Sequence, residues 1–370
     1  MYSEADKIAT EFSDRAIKVI WDSDLDFTID MDSFPELERQ RALMIDEIRK
    51  TIKRDMEVND KRAEILLVRW LTHGKLYEMV DESEILDTVL TENGDNPSIR
   101  YQFNNYLNDK KRTEEILKDL NRIVKLPVEF SMDKSRPRWN SRRLELTYRD
   151  IKIKISKRMF EKLEDSYEGD KRKFVERLFN CVYRYDYIGG LDTYQAAAPK
   201  KFFDYIQYHF GVQHECFASP LNRTLENYTS QYFDVDKYFG SLGSFYDLKH
   251  LYPEGGSFQA NPPYIEEVIG IMVRYFIRWL DEDKKNPLSF IIILPNWTDS
   301  SNVKMLTESE YLRLEHFLGI SDHRYTIYCP GNVRRKNICN TRIYILQNDL
   351  GNDLWPIKEN IKEDLNRIFS

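Results

Sequence analysis

Apolar residues in this chain recur with two different periods, and the change from one to the other falls near residue 156. From Phe34 to about Val124 they return every three to four positions. Pro35 opens one such run through Arg49 and residues 63–79 keep the same spacing, which predicts helices. Residues 144–155 alternate instead, with Leu144, Leu146 and Tyr148 on one side of Arg149-Asp150 and Ile151, Ile153 and Ile155 on the other. That is the pattern of a β-hairpin. Beyond Ser156, helical stretches are expected over 171–187, 201–210, from about 222, and 265–280. Short apolar strands are expected at 212–218, 257–260, 288–294 and 341–347. Helices alternating with such strands predict an α/β layer fold with a parallel sheet. The expected organisation is a mainly helical module over 1–160, ending in the hairpin, and an α/β module over 161–370.

Composition narrows the picture. The chain has 370 residues, 41% apolar and 13% aromatic, enough to bury a core in one large or two moderate domains. No apolar run reaches 18 residues, and Glu4 and Asp6 stand where a signal peptide needs basic and then apolar residues. The chain therefore reads as soluble and intracellular, in the nucleus or, alternatively, the cytoplasm. Cys181, Cys216, Cys329 and Cys339 form no C-x-x-C pair, so free thiols and no structural metal are expected. The net charge of −7 argues against indiscriminate coating of nucleic acid, yet residues 133–158 hold ten basic side chains against three acidic ones. Arg136 and Arg138 in that stretch are candidate RNA contacts, and a solvated basic face explains them equally well.

One motif carries chemistry. Asn261-Pro262-Pro263-Tyr264 lies between an expected strand and an expected helix, at the sheet edge where open α/β folds bind ligands. The exocyclic amine of adenine is a poor nucleophile because its lone pair is delocalised into the ring. An Asn carbonyl and a backbone carbonyl accepting its two N–H bonds would draw the nitrogen towards an attacking geometry. Prolines hold such a loop rigid, and Tyr264 offers a face on which a flipped base stacks. The four residues alone fit methylation of any planar conjugated nitrogen, a protein glutamine amide included. A G-x-G-x-G loop is absent, which weighs against the protein-methylating reading. On the cofactor side, Ala218-Ser219-Pro220-Leu221-Asn222 ends a strand, with the helix expected from 222 offering its N-terminal N–H groups. Asp234 or Asp236 is the candidate acid for ribose hydroxyls, and Tyr238-Phe239-Gly240-Ser241 a candidate flank for an adenine ring.

The blocks Gln195, Glu215 to Asn222, Tyr238 to Ser241, Gly256 to Tyr264, Pro287 to Ile291 and Leu346 to Asp349 occur in an order that resembles the cap-specific adenosine methyltransferase family of the phosphorylated-CTD-interacting factor. The resemblance spans about residues 170–350. It implies a Rossmann-like S-adenosylmethionine-dependent methyltransferase core behind an N-terminal helical domain, and methyl transfer to N6 of the adenosine next to the 5′ cap of mRNA. It implies Asn261, Pro262, Pro263 and Tyr264 as the catalytic loop, and Gln195, Ser219, Pro220, Asn222, Asp236, Phe239 and Gly240 as the cofactor shell. Trp297, His323 and Tyr325 become candidate substrate contacts, while Arg334 and Arg335, read from the residues alone, are candidate phosphate contacts that a solvated basic turn explains equally well. Larger members carry an N-terminal WW module; Trp21 and Trp70 are too far apart to build one, so binding to the polymerase tail is not expected. Tyr264 stands where the family has Phe, and 328–341 diverges from the family. Two other readings stay open: methylation of internal RNA or DNA adenine, and a catalytically inactive RNA-binding subunit of the same fold.

Overall fold

A computed structural model describes residues 35–64, 66–67, 107–109, 111–113, 115–116, 118–119, 136–188 and 195–370. The helical expectation over 63–79 lies mostly outside the described residues, as do Trp21 and Trp70. The chain divides into two compact units, one of residues 1–153 and 171–191 and the other of 154–170 and 192–370. The division is thus not a single cut near 160.

In the first unit, helix α1 (Pro35–Asp55) packs on a helix from the far side of the hairpin, α3 (Phe174–Ile188). Glu38 and Arg184, both fully buried, tie the two together as an ion pair. Charges buried this way hold only as a pair, since removing one leaves the other unsolvated. The hairpin appears as β2 (Glu145–Tyr148) and β3 (Ile151–Lys154), turned at Arg149 with φ 51°, and β1 (Arg138–Asn140) adds a third strand.

The second unit begins with α2 (Lys157–Asp165), capped by the Ser156 hydroxyl accepting from the Met159 N–H. Its main sheet has the order β6-β5-β7-β8-β12-β9. Strands β5 (His214–Ala218), β6 (Asn227–Ser230), β7 (Gly256–Ala260) and β8 (Leu288–Pro295) run parallel. β12 (Thr341–Gln347) lies antiparallel between β8 and β9 (Leu312–Leu318). Every residue of β8 is buried, the mark of a strand covered on both faces. One face packs Ile291, Ile293, Ile343 and Ile345 against α4 (Lys200–Phe210) and the C-terminal helix Ile361–Phe369. The other stacks Phe258 and Phe290 on Phe276 and Trp279 of α5 (Glu266–Glu282). Burying each such side chain stabilises by roughly 1.5–3 kcal/mol. α4 stops at Gly211, whose φ of 58° a residue with a side chain adopts only under strain; its N–H bonds the Gln207 carbonyl, and β5 follows.

Two expectations fail. No helix starts at 222. Ser219 and Asn222 close a turn, the N–H groups of Thr224 and Leu225 are taken by the Glu215 carboxylate, and the chain enters β6 instead. The sheet is also mixed rather than parallel, because β12 returns antiparallel. A small second sheet, β4 (Ala196–Ala197), β10 (Tyr325–Cys329) and β11 (Asn332–Lys336), has the order β11-β10-β4.

Candidate functional site

From β5 the chain runs to β6 on one side, whereas β7 pairs on the other, so the connection reverses direction between β5 and β7. Open α/β sheets leave a crevice at such a point, outside the carboxyl ends of the strands. His214 pairs with Phe258 and Glu215 with Gln259, so the loops after β5 and β7 leave from adjacent strands at the same edge. These are the two loops singled out from the sequence.

The loop after β7 is held from both ends. Pro262 is buried, the Ile265 N–H bonds the Pro263 carbonyl at 2.7 Å, and α5 starts immediately after. Asn302 anchors the first turn of that helix by donating to Glu266, at 3.3 Å to the backbone carbonyl and 3.1 Å to the carboxylate. Asn261 and Tyr264 are both partly exposed. The Tyr264 hydroxyl lies 3.3 Å from Asn261 Oδ1 and 3.1 Å from the Tyr325 hydroxyl, and its ring meets Trp297 edge-on with centroids 6.4 Å apart. Burial, and then Tyr325, push the Tyr264 phenol well above its ordinary range; burial does the same to Tyr325. Both hydroxyls therefore keep their protons.

Trp297 thus packs beside the Asn261–Tyr264 loop. Tyr325 and His323 do not stand at the surface: both are essentially fully buried, behind Tyr264. The Tyr325 hydroxyl lies 3.0 Å from Thr341 Oγ1, and His323 Nε2 lies 2.9 Å from the same oxygen. Direct contact with RNA at these two residues is replaced by support of the loop. No residue pattern marks Tyr325 as buried, because alternation in β10 inverts on a one-residue change of register, and His323 lies just before that strand.

The predicted cofactor residues split in the same way. The Ser219 hydroxyl donates to Gln195 Oε1 at 2.6 Å, the Ser219 N–H donates to Asn222 Oδ1 at 2.8 Å, and Pro220 is buried beside them. Three of the expected residues are therefore one hydrogen-bonded turn. Lys162 of α2, which no sequence signal marked, donates its ammonium to the carbonyls of Leu221 and Arg223, both at 2.9 Å. Burial lowers its pKa to about 7, and the Arg223 charge adds to that. Glu215 is raised to about 7 by burial, against the pull of its backbone bonds from Leu225 and Thr224.

The block Tyr238 to Ser241 reaches this turn through β6. Ala218 pairs with Ser230, whose hydroxyl lies 2.7 Å from that of Ser241. Gly240 has φ 86°, and an added Cβ there would meet nothing nearer than the Tyr228 ring at 4.0 Å, so open space lies beside its backbone. Asp236 and Phe239 are fully buried, and Phe239 packs on Tyr167 at 5.7 Å. Exposed contact with a cofactor at those two positions is corrected to packing beneath the segment.

The basic candidates belong to different units. Arg334 and Arg335 are exposed on β11, where alternation turns them to opposite faces of the ribbon, so they cannot act as an adjacent pair. Arg136 and Arg138 belong to the first unit, both exposed, with Arg136 bonding Glu176 at 3.1 Å. Among the described residues no group of three or more His, Cys, Asp or Glu could hold a metal ion, and no helix is long and apolar enough to cross a membrane.

A mixed α/β sheet with an Asn-Pro-Pro-Tyr loop and a polar turn at its reversal point makes this edge the candidate site of an α/β protein. Residues 154–327 match the family described as the phosphorylated CTD interacting factor 1 WW domain. The chain is 33% identical over 237 residues, 59% of its own length, to a human protein named mRNA (2'-O-methyladenosine-N(6)-)-methyltransferase, and 32% identical over 237 residues to a mouse protein of the same name. Over the matched residues the chain is similar to this family, the one its sequence blocks resemble. The match spans 33% of the length of those relatives. The family description names a WW domain and a CTD, which weakens the expectation against polymerase-tail binding.

Proposed function

We propose that this chain transfers a methyl group from S-adenosylmethionine to N6 of the adenosine adjacent to the 5′ cap of mRNA. The observation that carries the reading is the meeting, on neighbouring strands at the reversal point, of the Asn261-Pro262-Pro263-Tyr264 loop and the Gln195-Ser219-Asn222 turn. The antiparallel β12 inserted between β8 and β9, with helices on both faces, supports a Rossmann-like methyltransferase core.

The residues present fit the cofactor. Ser219, Pro220 and Asn222 make a turn stiffened from inside by Lys162, and the backbone at Gly240 has the open space that close approach of a nucleoside requires. Bound there, S-adenosylmethionine supplies an electrophilic methyl. The protein's part is to bind and orient the acceptor. Asn261 Oδ1 and a loop carbonyl accept the amine's N–H bonds and localise its lone pair; Tyr264 and Trp297, their rings inclined at 67°, wall the base on two sides. Neutral hydroxyls around the loop leave no general base there, and none is needed, since the methylated amine loses its proton readily to water. The names of the relatives favour the cap-adjacent adenosine over internal adenines. The exposed basic side chains Arg136, Arg138, Arg334 and Arg335 suit phosphate contacts, which position RNA without reading it.

The test is calorimetric titration with S-adenosylmethionine and with capped RNA beginning in adenosine, followed by turnover of wild type and Asn261→Ala. Binding of both ligands, with turnover abolished by the substitution, is expected. Failure to bind S-adenosylmethionine would favour a non-catalytic RNA-binding role.

A further inference from the structure

Behind the catalytic loop runs a single file of hydroxyls and one histidine: Tyr264, Tyr325, Thr341, His323 and the Gly319 carbonyl. Each hydroxyl has one hydrogen to give, so the direction of the whole file follows from its inner end. A carbonyl oxygen only accepts. His323 Nδ1, 2.6 Å from the Gly319 carbonyl, must therefore carry a hydrogen. Burial lowers the pKa of this ring, with the Gly319 bond and the exposed Asp322 pulling the other way, so it is neutral at physiological pH and Nε2 keeps its lone pair. A buried lone pair needs a donor, and Thr341 at 2.9 Å supplies it in preference to its longer contact, 3.3 Å, with the Cys339 carbonyl. With its hydrogen spent on His323, Thr341 accepts from Tyr325 at 3.0 Å, and Tyr325 accepts from Tyr264 at 3.1 Å.

We infer that Tyr325, Thr341 and His323 are positioning residues that turn the Tyr264 hydroxyl inward, leaving the Asn261 carbonyl oxygen open to accept N–H from the substrate nitrogen. The opposite direction would end with Tyr264 donating to Asn261 Oδ1, 3.3 Å away, occupying one lone pair of the atom that has to hold the amine. It would also require His323 to carry hydrogens on both nitrogens inside the core. The device belongs to a chain with Tyr at the fourth motif position, since Phe has no hydroxyl to direct. The inference rests on the proposed amine-methylating role of the loop.

Tyr325→Phe removes the inner acceptor and leaves Tyr264 with only Asn261 Oδ1 to donate to. With capped RNA beginning in adenosine, its kcat should fall about five- to tenfold, the size of one misdirected hydrogen bond, with KM for S-adenosylmethionine unchanged. Adding Tyr264→Phe removes the misdirected hydroxyl, so the double variant should recover most of that loss. Additive losses, or a Tyr325→Phe enzyme indistinguishable from wild type, would overturn the inference. A second measurement needs no turnover and separates this failure from failure of the proposed reaction: ¹⁵N NMR of the histidines in the wild-type protein at pH 7. Neutral His323 with its proton on Nδ1 is expected; a proton on Nε2 overturns the file's direction even in an inactive protein.

Discussion

Asn222→Ala tests whether the turn after β5 is a cofactor cradle. Asn222 is 8% exposed, and its Oδ1 accepts the Ser219 N–H at 2.8 Å; the Ser219 hydroxyl, also within 3.1 Å, spends its hydrogen on the nearer Gln195 at 2.6 Å. The substitution therefore deletes one good hydrogen bond and leaves a buried N–H without an acceptor, a cost of about 1–3 kcal/mol. For a unit of this size that lowers the Tm by about 2–12 °C. If the turn must be ordered for S-adenosylmethionine to bind, up to the same free energy appears in affinity, a rise in Kd of about 5- to 150-fold. Calorimetric titration reads the second effect and a thermal melt the first. Asn227→Ala, an exposed asparagine bonding the Gln213 carbonyl at 3.3 Å on β6, is the control and should leave Kd unchanged. A lowered Tm with wild-type Kd in Asn222→Ala would rule out the cradle, because the turn would then stiffen the fold without touching the cofactor.

Two further predictions concern stability. His214 is fully buried between the Tyr252 hydroxyl at 3.0 Å and the Thr229 hydroxyl at 3.2 Å, and burial depresses its pKa from 6.5 to about 3. The unfolded chain binds the proton first, so stability is full above pH 6.5 and falls as pH drops towards 3, by at most roughly 4–5 kcal/mol. Urea unfolding of wild type and His214→Gln across that range should show a shallower acid loss in the variant, and equal slopes would contradict the assignment. Gly255→Ala combines φ 79° with a Cβ that would lie 2.5 Å from the Pro287 carbonyl, at the entrance to β7. It should destabilise by about 2–4 kcal/mol, and a melting temperature equal to wild type would be inconsistent with this geometry.

The central strands and the Asn261–Tyr264 loop are legible in the sequence because each is a local pattern: the apolar run of β8, the helical spacing of α5, and the proline pair between β7 and α5. The turn after β5 was placed correctly and its continuation was not. A helix is expected from 222, yet the Asn222 side chain bonds backward to Ser219, and the Glu215 carboxylate claims the N–H groups of Thr224 and Leu225. That competition between side chain and helix is a tertiary choice which residue types alone do not reveal. β6 was missed because four residues are too few for alternation to show, although it is the strand that joins the Ala218 and Ser241 blocks. The burial of Asp236, Phe239, His323 and Tyr325 was equally hidden, since polar and aromatic residues near a motif look the same whether they line a site or support it.

Methyl transfer to the cap-adjacent adenosine is read out by incubating the protein with methyl-labelled S-adenosylmethionine and two RNAs of one sequence beginning in adenosine, one capped and one uncapped, then locating the label by nuclease digestion and mass spectrometry. A methyl on N6 of the first adenosine of the capped RNA, and none without the cap, is expected. Equal labelling of both RNAs, label on internal adenines, or no label from an intact protein would contradict it.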